Sequence, residues 1–464
     1  MYFEQFYLGC LAHASYMMAS EGEAVVVDPQ RDVEIYLQAA EANQVSIRHI
    51  FETHLHADFV SGHRELASRT GAKIYIGAQA KAAFPHVAVE DGFQLRLGKM
   101  RITALETPGH TAESLCFVIT DELKSCDPWA ILTGDTLFLG DVGRPDLSPR
   151  YSPVQLAGML YDSLHNKVLK LADTVLVYPA HGAGSLCGRN MRAEKVSTIG
   201  TERLTNYALQ IKSREEFIEE LTSNLPARPE YFLQDAEINR TGTATTLAEL
   251  PSLSALEPAE LKILLAEGGI VLDVRPGEGF AAGHVPGSVN IALSGQFASW
   301  AGALLGLAAC PVLIAESDDA VSEARMRLAR IGLEDARGYL KGGVDAWKKA
   351  GLPLNKLPQI TVEALSERLQ GARLQVLDVR REREWEDGHI EGASWWPLDN
   401  FKVAPPEIDR DVPIAVHCKG GYRSMIACSP LQRAGFQNVV NVLGGFDAWQ
   451  EAKFPVVAEK PVGA

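Results

Sequence analysis

Thr53-His54-Leu55-His56-Ala57-Asp58 follows the strand-like segment IRHIFE at 47–52 and packs two histidines and an aspartate into six residues. Read as an extended run, strict alternation puts His54, His56 and Asp58 on one side of the chain. Three more loops end in the same residue types: His110 in TPGHTAES, Asp135 in LTGDTLF and His181 in YPAHGAG. Each follows a short β-branched or apolar run and sits beside Gly or Pro, so each reads as the end of a strand. Runs such as EAVVVDP, KIYIG, MRITALE, SLCFVIT and DTVLVYP alternate with helix-period segments such as VEIYLQAAEANQ. The expectation is an α/β sandwich with its chemistry on loops at one sheet edge.

The rest of the chain bounds this reading. At 464 residues, with 46% hydrophobic and 22% charged residues, it exceeds one growing core and calls for several domains. A net charge of -15, without a basic run, excludes a nucleic-acid grip. Cys10, Cys116, Cys126, Cys187, Cys310, Cys418 and Cys428 are odd in number and scattered, which suits a reducing compartment rather than a disulfide framework. The N-terminus lacks the pattern of a targeting peptide, and no apolar stretch is long enough to span a membrane. A cytoplasmic protein is expected; homo-oligomerisation is left open.

The C-terminal half repeats itself. VLDVRPGEGFAAGHVPGSVN at 271–290 returns as VLDVRREREWEDGHIEGASW at 376–395, and GYLKGGVDAWKKAGLPL returns as NVLGGFDAWQEAKFPV. Each unit alternates short β-branched runs with helix-period segments, the pattern of parallel βαβ wrapping. Turn-forming residues gather near 241–254 and 351–363. The predicted domains are therefore 1–240, 241–355 and 356–464.

The His and Asp set over 1–240, in its order, resembles the metallo-β-lactamase superfamily, which implies an αββα sandwich. That superfamily holds binuclear hydrolases and mononuclear iron oxygenases, so individual ligands must decide. Hydrolases of this kind have a further histidine directly after the motif aspartate, where this chain has Phe59. The retained set resembles that of persulfide dioxygenases, and the resemblance implies one Fe(II) per chain held by His54, His110 and Asp135. Two imidazoles and a carboxylate leave about three octahedral positions open, whereas a structural zinc site is closed by four ligands. By the same resemblance His56, Asp58 and His181 orient the ligands through hydrogen bonds. Zinc as the metal, and His56 or His181 as a ligand, remain alternatives. The remaining histidines, His13, His49, His63, His86 and His165, are expected to be satisfied or exposed. GDVGRPDL at 140–147 resembles the segment beyond the Asp ligand in those dioxygenases. Arg144 there either faces an anionic substrate or is a structural ion-pair partner. Cys187, six residues after His181, is either a substrate-proximal thiol or a packed residue.

In the last unit, PIAVH runs into Cys418-Lys419-Gly420-Gly421-Tyr422-Arg423-Ser424 and then a helical segment. A thiol at a Gly-rich strand-to-helix turn sits in a cradle of main-chain N–H groups suited to a persulfide or an anion. Lys419 and Arg423 add positive charge where sulfite or thiosulfate would sit. This loop, with LDVRREREWEDGHIEGA and LGGFDAWQ, resembles rhodaneses, which makes Cys418 the expected catalytic residue and Lys419, Gly420, Gly421, Tyr422, Arg423 and Ser424 its substrate loop. In the middle unit, alignment on PVLIAESDDA sets Glu316 against Cys418, followed by Asp318 and Asp319. That unit is expected to be inactive and to serve as a spacer or docking element.

The whole pattern resembles persulfide dioxygenase–rhodanese fusions. The resemblance implies oxidation of a low-molecular-weight thiol persulfide by O2 to sulfite and thiol, coupled to sulfur transfer that makes or uses thiosulfate, as in sulfide detoxification. A glyoxalase II-like thioester hydrolase, or a metal-binding sulfur-relay scaffold, are the competing expectations.

Overall fold

The computed structural model describes residues 1–223, 225, 228–371, 373–401 and 408–458. Its first six strands, β1 (Tyr2–Leu8), β2 (His13–Ser20), β3 (Glu23–Val27), β4 (Ser46–Phe51), β5 (Lys73–Gly77) and β6 (Val87–Val89), pair in chain order to make one sheet. The next six make a second: β7 (Gln94–Leu97), β8 (Met100–Glu106), β9 (Leu115–Asp121), β10 (Ala130–Gly134), β11 (Leu176–Pro179) and β12 (Ser197–Thr198).

Period-two alternation sorts the side chains between layers. Tyr16, Met18, Val25, Val27 and Phe51 meet Ile102, Ala104, Phe117, Ile119 and Leu132 between the sheets. Met17, Val26 and Ile50 face the other way, onto Tyr36 and Leu66 of the helices Glu34–Ala42 and His63–Thr70. Ile131 and Val177 on the far face of the second sheet pack with Leu160 and Leu164 of the helix Pro153–Asn166. This is the expected αββα sandwich. Both sheets are covered on both faces, which is why β2 and β9 are buried almost throughout.

The chain divides into two compact units, Met1–Leu250 with Ala329–Gly332, and Pro251–Leu328 with Leu333–Ala464. The second unit holds two five-stranded parallel sheets. One contains β13 (Ser254–Leu256), β14 (Val271–Asp273), β15 (Val289–Asn290), β16 (Val312–Ile314) and β17 (Gly338–Leu340), in the order β13-β17-β16-β14-β15. The other contains β18 (Gln359–Ile360), β19 (Gln375–Asp378), β20 (Ser394–Trp395), β21 (Ile414–His417) and β22 (Val439–Val442), in the matching order β18-β22-β21-β19-β20. The sequence repeat is thus a repeat of topology. Its two copies also touch: Asn290 donates its main-chain N–H to Ser429 Oγ at 2.9 Å, and Tyr422 Oη donates to the Ala292 carbonyl at 3.0 Å.

Candidate functional site

His54, His110, Asp135 and His181 arrive on the loops that follow β4, β8, β10 and β11. His54, His110 and Asp135 are buried, and each offers a ligand atom within 4.8 Å of the others. His110 Nε2 lies 3.3 Å and His54 Nε2 3.8 Å from Asp135 Oδ2. The opposite ring nitrogens are anchored. His110 Nδ1–H donates to the Arg144 carbonyl at 2.9 Å. Thr53 Oγ1 donates to Asp28 Oδ2 and so offers its lone pair to His54 Nδ1, each at 2.9 Å. Both Nε2 lone pairs are thereby turned toward Asp135. His110 Nε2 and Asp135 Oδ2 are buried without a hydrogen-bond partner, which fits a cation between them, since such groups are costly to leave unpaired. Burial alone would raise the Asp135 carboxyl, yet the His181 imidazolium beside it holds it well below the usual carboxylate range. Burial pushes His54 and His110 below the ordinary histidine value. The donor set is therefore two neutral imidazoles and a carboxylate, the form a metal requires.

The motif does not run as a strand. Residues 52–60 bend after β4, so its three polar side chains diverge, contrary to the alternation expected from the sequence. His54 turns to the triad. His56 Nε2 points instead at Asp28 Oδ1 and Glu52 Oε2, 3.2 and 3.4 Å away. Asp58 Oδ2 lies 2.9 Å from His181 Nε2, and His181 Nδ1 lies 2.8 Å from Asp135 Oδ1. His181 thus links Asp58 to the candidate ligand Asp135. Two further buried groups have ligating atoms this close among the described residues: Asp28–Glu52–His56, and Asp58–His181–Cys187. The Cys187 thiol is buried beside Asp58 and His181, and burial pushes its pKa well up, so it is protonated at neutral pH. The Arg144 guanidinium makes a two-point pair with Asp146, at 2.7 and 2.9 Å, and donates to the Leu186 carbonyl. Its contact with the triad is through its own carbonyl.

Several residues around the site carried no sequence signal. Asn239, on the helix Tyr231–Thr241, donates to the carbonyls of His56 and Phe59 and accepts from the Ser61 N–H, all at 2.8 Å. It clamps the motif loop from 180 residues away in the chain. Asp28 and Glu52 had a weak signal as polar residues at the ends of apolar runs. His13, expected to be satisfied or exposed, is fully buried with neither nitrogen hydrogen-bonded.

In the second unit Cys418 follows β21 directly and is buried, and the Gly421 N–H points at its Sγ at 3.1 Å. Gly421 has φ +103°, a left-handed value open to glycine, and leads into the helix Tyr422–Arg433. Lys419 and Gly420 are exposed. Ser424 Oγ donates to the Gly421 carbonyl. Arg423 forms a two-point pair with Glu384 at 2.6 and 2.7 Å, and Tyr422 is tied to Ala292 as described. Across the loop, a Cβ on Gly445 would fall 2.3 Å from the Cys418 carbonyl.

Strand register corrects the alignment of the middle unit. Asp273 pairs with Ile314 where Asp378 pairs with His417, so Ala315, not Glu316, occupies the position of Cys418. Glu316 matches Lys419. The helix of the middle unit then begins at Asp318, one residue earlier than its counterpart at Tyr422. The N–H cradle is shortened, and an alanine stands where the nucleophile would be. The sequence alignment failed because the two adjoining prolines, Pro311 and Pro413, attract each other in a gapless match although the strands are offset by one.

Comparison with known proteins finds relatives for both halves of the chain. The profile of the metallo-beta-lactamase superfamily matches residues 8–181, and that of the rhodanese-like domain matches residues 257–350 and 361–452. Bovine mitochondrial persulfide dioxygenase ETHE1 is 30% identical over 210 residues, 44% of this chain and 73% of its own length. Hydroxyacylglutathione hydrolase of Francisella tularensis subsp. novicida is 30% identical over 172 residues, 37% of this chain and 63% of its own length. A crystal structure of a metallo-beta-lactamase from Staphylococcus aureus superposes with a TM-score of 0.66 at 32% identity, covering 74% of this chain and 99% of that one. The chain thus belongs to the persulfide dioxygenase family of the metallo-β-lactamase superfamily, and carries two rhodanese-like domains fused behind its first domain.

Proposed function

We propose that the first domain, residues 1–240, oxidises a low-molecular-weight thiol persulfide with O2 at a single Fe(II) held by His54, His110 and Asp135. The balance is RSSH + O2 + H2O giving RSH, sulfite and two protons. The observation that carries this reading is the convergence of His54, His110 and Asp135, two of whose facing atoms are buried and unpartnered, while Phe59 offers no ligand for a second metal. Bound there, iron supplies open positions for O2 and a sulfur ligand together. The chain's own groups fix the two ring tautomers through Thr53 and Arg144, balance charge through Asp135, and exclude bulk water by burial. His56, Asp58 and His181 orient the ligands, and the Cys187 thiol packs beside Asp58 and His181.

The last domain, residues 356–464, carries sulfur on Cys418. A Cys418 persulfide attacked by sulfite gives thiosulfate, the Cys418 thiolate and a proton; in reverse, thiosulfate loads the thiol. Lys419 attracts the anion, and Gly420, Gly421, Tyr422, Arg423 and Ser424 shape the loop, with Arg423 held by Glu384. The middle domain, residues 241–355, has Ala315 at the position of Cys418 and supports the last one through Tyr422 and Ser429. Linking both chemistries in one chain raises the effective concentration of their shared sulfur intermediates. Sulfide detoxification in the cytoplasm suits the free cysteines.

The hydrolase relative supports a second reading, thioester hydrolysis with two metals. Glutathione persulfide and a glutathione thioester, offered separately to iron-loaded protein, separate the two. O2 consumption with the persulfide is expected; thioester hydrolysis without O2 uptake overturns the dioxygenase reading.

A further inference from the structure

His13 opens β2, and its main chain bridges to that of His181. Ala14 donates its N–H to the Ala180 carbonyl at 2.7 Å and Gly182 donates to the Ala12 carbonyl at 2.9 Å, so both sides of the bridge are pinned where β2 passes the end of β11. The His13 ring is buried completely. Its centroid lies 4.2 Å from that of Phe59, 5.5 Å from His181 and 5.6 Å from His56. Neither nitrogen has a hydrogen-bond partner, and His13 belongs to none of the three groups of close ligating atoms around it.

A neutral imidazole holds one donor and one acceptor, and each buried polar atom left unpaired costs about 1–3 kcal/mol. A phenylalanine or leucine in the same place would pack against Phe59 without that cost. His13 is not needed to fill space, and it is not placed to share a cation with the triad. The remaining use for its N–H is a small ligand in the same buried neighbourhood. That neighbourhood is rich in carboxylates, with Asp28, Glu52, Asp58 and Asp135 all buried, so a sulfur anion entering it needs a donor to face.

We propose that His13 is a substrate-positioning residue that donates a hydrogen bond to the terminal sulfur of the persulfide at the metal centre. This rests on the dioxygenase reading above. A persulfide whose terminal sulfur met both His13 and a metal held by His54, His110 and Asp135 would be fixed in orientation, and the His13 main chain, tied to that of His181, makes the donor rigid.

The test uses the full chain loaded with Co(II) in place of iron and titrated anaerobically with sodium sulfide, whose anion presents the terminal sulfur alone, while visible absorption reports binding. His13→Phe keeps the bulk and removes the donor; His13→Asn and His13→Gln restore an amide N–H at the place of Nδ1 or Nε2. The expected result is unchanged cobalt content in all variants, sulfide binding about tenfold weaker in His13→Phe, and recovery to within about threefold in one of the two amides. Sulfide binding by His13→Phe as tight as in the parent protein overturns the inference and leaves the dioxygenase reading standing. Loss of cobalt from His13→Phe also overturns it, since the residue would then serve to hold the metal site together. No spectral response in the parent protein overturns both.

Discussion

At the residue scale, the chemistry of the first domain depends on which nitrogen of each histidine is turned inward. Thr53 shows how this is arranged: its hydroxyl hydrogen goes to Asp28, which leaves its oxygen to accept from His54 Nδ1. Thr53→Val keeps the shape and removes both contacts. Its iron affinity is expected to fall about 10- to 100-fold, read by competition with a chelator, while Cys418-dependent sulfur transfer is unchanged. In the last domain the Glu384–Arg423 pair plays a supporting part. Burial would push the Glu384 carboxyl up, but the Arg423 guanidinium holds it below the usual glutamate value. With the folded value below the unfolded one, the pair stabilises the fold above the ordinary glutamate pKa, and this contribution is lost as pH falls through the folded value. Glu384→Gln is expected to lower stability by about 2 kcal/mol at pH 7, a deficit that shrinks below about pH 4, as followed by urea unfolding at the two pH values. The identity of the candidate ligands was legible from sequence because each stands beside a turn at the end of an apolar run. Their directions were not, because alternation holds only for a strand, and the chain bends between Glu52 and Val60.

At the scale of elements, the two strand-to-helix loops of the second unit differ by one residue in length and in all their side chains, Cys418-Lys419-Gly420-Gly421 in one and Ala315-Glu316-Ser317 in the other, and on the proposed reading this difference separates a sulfur carrier from a support. Placing a thiol at the right position should not restore the middle loop, which remains shorter and carries Glu316, Asp318 and Asp319. Ala315→Cys in a Cys418→Ser background is expected to show no thiosulfate sulfurtransferase activity; measurable turnover would contradict this account of the cradle. The intact loop has its own backbone demand. Gly445 has φ +57° and sits against the Cys418 and Lys419 carbonyls, so Gly445→Ala strains both the turn and the loop. Sulfur transfer is expected to drop at least tenfold, by an order-of-magnitude cost of about 1–3 kcal/mol for such strain, with iron content unaltered. The repeat itself was plain in the sequence, and the parallel sheets follow from it. Its one-residue register was not, since hydrogen bonding between strands, rather than similarity, decides which residue follows the last paired one.

At the scale of the whole molecule, an α/β sandwich and the paired parallel sheets were readable from periodicity and the repeat, and the αββα layering from the resemblance that the ordered His and Asp motifs carry. The clamp by Asn239 and the burial of His13 were not, because both depend on residues brought together from distant parts of the chain. The two compact units should respond separately to metal. On the proposed reading iron binds only the folded first unit, so by mass action it is expected to raise that unit's unfolding transition, by several degrees for about 3–4 kcal/mol gained at roughly 100- to 1,000-fold excess over Kd. The transition of the second unit is expected to stay where it is, as calorimetry with and without a chelator would show. If one chain holds an oxygen-using iron centre and a separate sulfur-transferring thiol, the two activities must fail independently. O2 uptake, with sulfite and thiosulfate analysis, for iron-loaded protein given glutathione persulfide separates them in the parent, His110→Ala and Cys418→Ser forms. His110→Ala is expected to abolish O2 uptake, and Cys418→Ser to retain it while sulfite accumulates in place of thiosulfate; O2 uptake that survives in His110→Ala, or is lost in Cys418→Ser, would refute the two-centre assignment.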